Sequence, residues 1–454
     1  MDRERVRLNA RRVARLHAER AIAAMNEHLD QADLVRREAA KRSRHIPLRE
    51  LLARAPDVIT RLAPCWVASP LSVSQLLDGG RRHFDVVIFD EASQILQEEG
   101  IPALYRAEQV IVAGDRHQLP PTTFFATAVE GEDEIANGDG DEGQGARAAA
   151  TAAIGGFENL LDTLGAFLPS WLLEWHYRSE DERLITFSNS HVYDGRLVTF
   201  PSARGHEAIR HILVPHDPSI GGQEESASRE VDEVVRQVLL HAEKRPRESL
   251  GVITMGIRHA NRVQAALDRA LDDRPDLEDF FSLDREERFF VKNLETVQGD
   301  ERDAIILSIG YGKSANGDLP HGFGPLTQDV GYRRLNVAIT RAKRRMCVIS
   351  SFSHDEIDLE RSGSRGVQLL KAYLEYAASG GRRLPEGERA GEVPLNSFEA
   401  DVRDTLEARG IRTRPQFGAS RYRIDLVAIQ AWPACPRDRV RRRVLPLQRH
   451  GTGP

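Results

Sequence analysis

Val86-Val87-Ile88-Phe89-Asp90-Glu91-Ala92-Ser93-Gln94 is an apolar, mostly β-branched run that stops at two carboxylates. A second apolar run, 110–113, leads into Gly114-Asp115-Arg116-His117-Gln118-Leu119-Pro120-Pro121-Thr122. Short, turn-bounded runs of this kind are the pattern of buried parallel strands. Strand and helix patterns alternate from Cys65 to about Phe200, and a second alternation begins at about 205. Its candidate strands are 211–214, 249–254, 304–308 and 346–350, with helical spacing near 228–243 and 258–272 between them. Strands alternating with helices predict an α/β protein built on parallel sheets.

The bulk numbers set the frame. At 454 residues the chain is long enough for two or three domains. A hydrophobic share of 41% and a charged share of 29% are ordinary for a globular protein. The net charge of -6 does not announce a nucleic-acid binder, so any such site must be a local basic surface. Cys65, Cys347 and Cys435 lie far apart without a C-x-x-C pair, which argues against structural zinc and for a reducing cytoplasm. No apolar stretch is long enough for a membrane span, so the expected location is cytoplasmic, with no membrane partner.

Chemistry concentrates in five blocks. Asp90 and Glu91 end a strand, and a nucleotide triphosphatase needs one carboxylate for magnesium and one to orient the attacking water. These two residues suit those roles respectively. Gln118, following Gly114-Asp115, is a neutral group able to hydrogen-bond a γ-phosphate and report its loss. Glu174-Trp175-His176-Tyr177-Arg178-Ser179 sets an arginine after an aromatic residue, just before a helix. Glu295-Thr296-Val297-Gln298-Gly299-Asp300-Glu301-Arg302-Asp303 runs directly into the 304–308 strand. Gly331-Tyr332-Arg333-Arg334-Leu335-Asn336-Val337-Ala338-Ile339-Thr340-Arg341-Ala342-Lys343 reads as a helix with several basic residues. Guanidinium groups stabilise charge developing on a transferred phosphoryl group, which makes Arg178 and Arg341 candidate arginine fingers.

In this order the five blocks resemble a superfamily 1 helicase of the 5′-to-3′ branch, over about Cys65 to Phe352. The resemblance implies two RecA-like parallel-sheet domains with ATP between them, and movement along single strands driven by hydrolysis. It implies Asp90 on Mg2+, Glu91 as base, Gln118 at the γ-phosphate, Arg178 and Arg341 at the phosphates, and Gly299 and Glu301 on the nucleotide, Glu301 near the ribose. Pro70-Leu71-Ser72-Val73-Ser74-Gln75-Leu76 resembles a stretch beside the nucleic-acid path, where Ser72, Ser74 and Gln75 could touch a strand. A short polar turn opening a helix accounts for it equally.

One part of the pattern is missing. A phosphate loop, G-x-x-x-x-G-K-S/T, belongs well before the Asp90-Glu91 strand and is not found there. Gly310-Tyr311-Gly312-Lys313-Ser314 is a decoy, because Leu307 stands where the first glycine should be. Without that loop the β- and γ-phosphates lose their main electrostatic cradle. The expectation is a fragment with little ATPase activity alone, its partner an upstream motor segment; a degenerate ATPase is the alternative.

The C-terminal segment carries a helix beginning Ser397-Phe398-Glu399-Ala400-Asp401-Val402, then Gln416-Phe417 and a strand-like Tyr422-Arg423-Ile424-Asp425-Leu426-Val427. It resembles the start of a restriction-endonuclease fold of the very-short-patch repair type, in which Glu399 and Asp425 would help hold a metal. No E-x-K follows, so no nuclease activity is expected. The organisation read along the chain is then a helical arm at 1–60, a first RecA-like domain at 61–203 that is incomplete and carries a flexible insertion at 129–156, and a second at 204–378. A linker at 379–394, a truncated nuclease-like segment at 395–430 and an irregular tail at 431–454 follow. The function expected is an ATP-dependent helicase or translocase on single-stranded nucleic acid, DNA favoured over RNA by the nuclease-like segment. A non-hydrolysing nucleic-acid-binding module and a nuclease-associated subunit are the alternatives.

Overall fold

The apolar runs of the sequence supply most of the nine strands among the described residues of a computed structural model. It describes residues 2–121, 157–201, 208–215, 228–313, 318–319, 322–328, 330–382, 395–418 and 424–429. The expected insertion at 129–156, most of the 379–394 linker and the 431–454 tail lie outside these residues. Contacts divide the chain into one unit of Met1–Arg116 with Pro120–Ser170, and another of His117–Leu119 with Trp171–Pro454.

The first unit opens with helices Asp2–Glu27, Leu29–Ala40, Leu48–Arg54 and Pro56–Leu62, rich in good helix formers. Only their later part packs together, burying Ala21, Ala24, Ala32, Leu34, Leu52, Ala55 and Val58. Gln31 Oε1 accepts from the N–H groups of Asp57 and Val58 at 3.0 and 3.2 Å, satisfying orphan donors at the start of Pro56–Leu62.

Strand β1 (Phe84–Phe89) then pairs in parallel with β2 (Ala107–Val112), and helix Gln97–Leu104 makes the crossover. Both strands were expected to be buried on both faces. Instead Val87, Phe89, Val110 and Val112 join a small core with Ala103, Leu160 and Leu164, while Ile88 and Ile111 are 65% and 54% exposed. A parallel sheet buries both faces only where both are covered by other layers. The helices sharing this core cover one face.

The second unit holds a five-stranded sheet, wholly parallel, in the order β3 (Ile209–Leu213), β7 (Ala342–Ser350), β6 (Arg302–Ser308), β4 (Leu250–Thr254), β5 (Phe290–Asn293). Here both faces are buried. Ala304 and Ile306 point into a core with Val234 and Val238 of helix Ser228–Lys244 and Val263 and Leu267 of helix Ile257–Asp272. Ile305 and Leu307 point the other way, towards Val337 of helix Gly331–Ile339 and Leu370 and Leu374 of helix Arg365–Ala378. This two-sided wrapping is the doubly wound α/β arrangement that alternation predicts.

Three boundaries differ from the sequence reading. The stretch 331–343 is not helical throughout: Thr340 Oγ1 donates to Asn336 O at 2.8 Å, and Arg341 Nε to Val337 O at 2.8 Å. These bonds occupy the last carbonyls of the helix, and the chain leaves into β7. Strand β5 had no apolar signal, since Lys292 interrupts it at the sheet edge. The contact division falls after Ser170 rather than near 203, and it assigns His117–Leu119 to the second unit. Leu119 is 2% exposed in that unit's core, and Asn336 Nδ2 donates to His117 O at 3.1 Å. After helix Ser397–Ala408, β8 (Arg412–Phe417) and β9 (Ile424–Ile429) form an antiparallel pair.

Candidate functional site

In the first unit the apolar strand β1 delivers Asp90 and Glu91 to its carboxyl end. The chain reverses there because Glu91 adopts a left-handed conformation, φ 53°, a strained geometry for a residue with a Cβ. Asp90 Oδ1 accepts from the Glu91 N–H at 3.0 Å, and Glu91 Oε2 accepts from Gln94 Nε2 at 3.3 Å. The ladder runs on past β2: Ala113 N donates to Phe89 O at 2.8 Å and Ala92 N to Ala113 O at 2.9 Å. Gly114 therefore crosses directly over the turn, where an added Cβ would stand 3.2 Å from the backbone nitrogens of Ala92 and Ser93. Asp90 is exposed beside a backbone donor. That environment fits magnesium, which takes one or two carboxylates and otherwise keeps water and phosphate oxygens.

In the second unit, residues far apart in sequence meet. Arg178 Nε donates to Glu301 Oε2 at 2.7 Å across 123 positions. The other oxygen of Glu301 lies 3.2 Å from Lys343 Nζ, which is also 2.5 Å from Glu287. Burial alone would raise the Glu301 carboxyl; the Lys343 hydrogen bond and the Arg178 charge outweigh it and hold the pKa below the ordinary value. The loop bearing Arg178 is fixed from both sides. Glu180 N donates to Lys343 O at 2.8 Å, and Ser179 N donates to His176 Nε2 at 3.2 Å. Burial, then the Arg178 charge, lowers His176 to about 4, so its ring is neutral and can accept.

Gly299 precedes this cluster with φ +85° and nothing within 4 Å of an added Cβ. Backbone conformation, not space, demands glycine there. Arg341 sits elsewhere in character: it is 2% exposed, and its guanidinium is bonded to the end of the helix it follows. Gln118 lies in the His117–Leu119 segment, beside the His117 ring that stands edge-on to Tyr193 at 5.3 Å. The structure thus brings Arg178 and Glu301 together and places Arg341 two residues before Lys343 on the same β7 turn. Sequence reasoning missed Lys343, His176 and Glu287. The first two stand inside quoted blocks, whereas Glu287 carries no sequence signal.

Other predicted positions are committed locally. Lys313 of the decoy pairs with Glu356, and the Gly310 N–H donates to Glu230 Oε1 at 2.7 Å. Ser69 caps the helix Pro70–Leu76 through Ser72 N, and Ser74 Oγ donates to Leu71 O at 2.8 Å. Glu399 forms a capping box, accepting from Asn396 N at 3.1 Å and Asn396 Nδ2 at 2.7 Å. Both of its oxygens accept from Asn396, which fixes the carboxylate at the start of its own helix. Asp425 lies on β9, and among the described residues no group of three or more His, Cys, Asp or Glu is placed to hold a metal ion.

Two family models described as AAA domain match residues 11–125 and 157–353. An uncharacterized ATP-dependent helicase of Mycoplasma genitalium is 32% identical over 326 residues, 70% of this chain and 28% of that protein. The DNA-binding protein SMUBP-2 of Mesocricetus auratus is 27% identical over 336 residues, 70% of this chain and 29% of that one. The probable helicase senataxin of Homo sapiens is 25% identical over 345 residues, 72% of this chain and 12% of that one. The chain therefore spans under a third of the length of these relatives. What the matches share with this chain is AAA-domain sequence over residues 11–125 and 157–353.

Proposed function

We propose that this chain is the C-terminal motor portion of an ATP-dependent helicase or translocase acting on single-stranded nucleic acid. The meeting of Arg178 with Glu301, from blocks 123 positions apart, carries the reading. In it Asp90 holds Mg2+, which when bound neutralises phosphate charge, and Glu91 orients the attacking water. Arg178 and Arg341 supply positive charge to the phosphates, Gln118 responds to the γ-phosphate, and Gly299 and Glu301 face the nucleoside. The phosphate loop comes from an upstream segment of a longer polypeptide, part of which forms a layer over the exposed face of β1 and β2. Contacts to the nucleic acid are mostly to phosphates and stacked bases and tolerate sequence.

DNA is favoured over RNA on the resemblance of residues 395–430 to the start of a nuclease segment. No hydrolysis of phosphodiesters is expected from that segment, since no E-x-K follows Asp425. Among the described residues no helix is long and apolar enough to cross a membrane. The test is ATP hydrolysis stimulated by single-stranded DNA, measured on the chain and on the chain joined to an upstream phosphate-loop segment. Turnover is expected from the joined form and to disappear in its Glu91→Gln variant. Undiminished turnover in that variant would sink the assignment of the base.

A further inference from the structure

Arg178 and Glu301 do not form an isolated pair. Glu287, Lys343, Glu301 and Arg178 alternate in charge, with Lys343 Nζ 2.5 Å from Glu287 and 3.2 Å from Glu301, and Arg178 2.7 Å from Glu301. Glu287 is anchored in turn by a hydrogen bond from Ser249 Oγ, at the mouth of β4. Arg302 keeps its charge while donating to the carbonyls of Arg288 and Glu301; that charge acts on Glu287 and is the same in every variant compared below. A carboxylate shared by two cations holds each more weakly than it would hold one alone. The grip of Glu301 on Arg178 therefore depends on how much of the Lys343 charge reaches Glu301, and Glu287 competes for that charge.

We propose that Lys343 is a positioning residue for Arg178: by sharing Glu301 it loosens the contact that holds Arg178, and Glu287 tunes how far. This rests on the reading that Arg178 serves the phosphates of ATP. When Arg178 turns to a phosphate, Lys343 remains to neutralise Glu301, so the carboxylate is not left with an unpaired charge. Side-chain exposures of 35% for Arg178 and 39% for Glu301 leave water at hand to solvate the exchange. The main chain reinforces the role, since Lys343 O receives Glu180 N and ties the Arg178 loop to the β7 turn.

The relay gives two variants opposite signs, which loss of packing would not. Lys343→Met leaves Arg178 as the sole cation on Glu301 and tightens that pair. Glu287→Gln frees Lys343 for Glu301 and loosens it. The Arg178–Glu301 coupling is measured by urea unfolding of the chain in double-mutant cycles (Arg178→Gln, Glu301→Gln) in wild-type, Lys343→Met and Glu287→Gln backgrounds. The expected coupling constant rises about two-fold or more with Lys343→Met and falls with Glu287→Gln. Fluorescent mant-ATP binding in Mg2+ by the chain joined to an upstream phosphate-loop segment is expected to weaken several-fold with Lys343→Met and not with Glu287→Gln. Couplings that are unchanged, or that move together, overturn the proposal, as does ATP affinity lowered equally by both variants. If Arg178→Gln in the joined form binds mant-ATP as the unsubstituted joined form does, the phosphate role of Arg178 fails, and the unfolding cycles still decide the relay.

Discussion

Glu230 Oε1 accepts a 2.7 Å hydrogen bond from Ser308 Oγ, and neither residue has any exposure to solvent. The same oxygen receives the Gly310 N–H, and His259 Nε2 lies 2.6 Å from Ser308 Oγ. With the Ser308 proton given to Glu230, His259 donates through Nε2 and is neutral. This chain of polar groups closes the carboxyl end of β6 against the first turns of helices Ser228–Lys244 and Ile257–Asp272.

A defined pH dependence of stability follows. Burial raises Glu230 from 4.5 to about 7 in the fold. Between those values the folded chain binds the extra proton, so this contribution falls as pH rises. Burial, and then the Arg262 charge, lowers His259 from 6.5 to about 3, so between those values the unfolded chain binds the extra proton and this contribution rises with pH. The two cancel where the windows overlap, between 4.5 and 6.5, and stability falls on either side. Glu230→Gln removes the alkaline fall. Its unfolding free energy relative to wild type should improve by about 2–3 kcal/mol between about pH 5.5 and pH 8, as read by urea denaturation.

Two glycines separate strain from crowding. Gly310 has φ +74° and an added Cβ would come within 2.5 Å of the His259 ring, whereas Gly299 has φ +85° with open space around it. Gly310→Ala is expected to cost about 2–4 kcal/mol and Gly299→Ala about 1 kcal/mol. Equal losses in thermal unfolding would contradict the crowding at Gly310.

Arg341 is expected to serve stability as well as any phosphate. Replacing it with Met removes the Arg341 Nε bond to Val337 O, leaving that carbonyl to Thr340 Oγ1 at 3.1 Å, and is expected to cost about 1–2 kcal/mol. A melting temperature equal to that of wild type would show that the buried guanidinium contributes nothing to the helix end. Loss of ATPase in this variant must therefore be read against its melting temperature.

The exposed sheet face gives a conditional outcome. Ile88→Thr with Ile111→Thr, at 65% and 54% exposure, should change the stability of the chain by no more than about 0.5 kcal/mol. In the form joined to an upstream phosphate-loop segment the same pair should destabilise by about 1–2 kcal/mol, because there the face is covered. An equal, small effect in both forms would show that no layer packs on it.

Much of this protein is written in short-range pattern. Apolar runs at 86–89, 110–113, 304–308 and 346–350 and helical spacing near 228–243 and 258–272 specify the elements and their parallel pairing, because a strand buried by its neighbours needs little beyond β-branched side chains and turn boundaries. The carboxylates at the end of β1 are legible for the same reason, being the first polar residues after an apolar run. Three-dimensional contact decided the rest. Only packing shows that β1 and β2 leave a face uncovered and that His117–Leu119 joins the second unit. Glu287 carries no motif, and its place beside Lys343 and Glu301 exists only because β4, β6 and β7 lie side by side. Local sequence determined where each strand ends and which charges stand there. Which of those charges neutralise one another depends on strand order, a long-range property that no local spacing encodes.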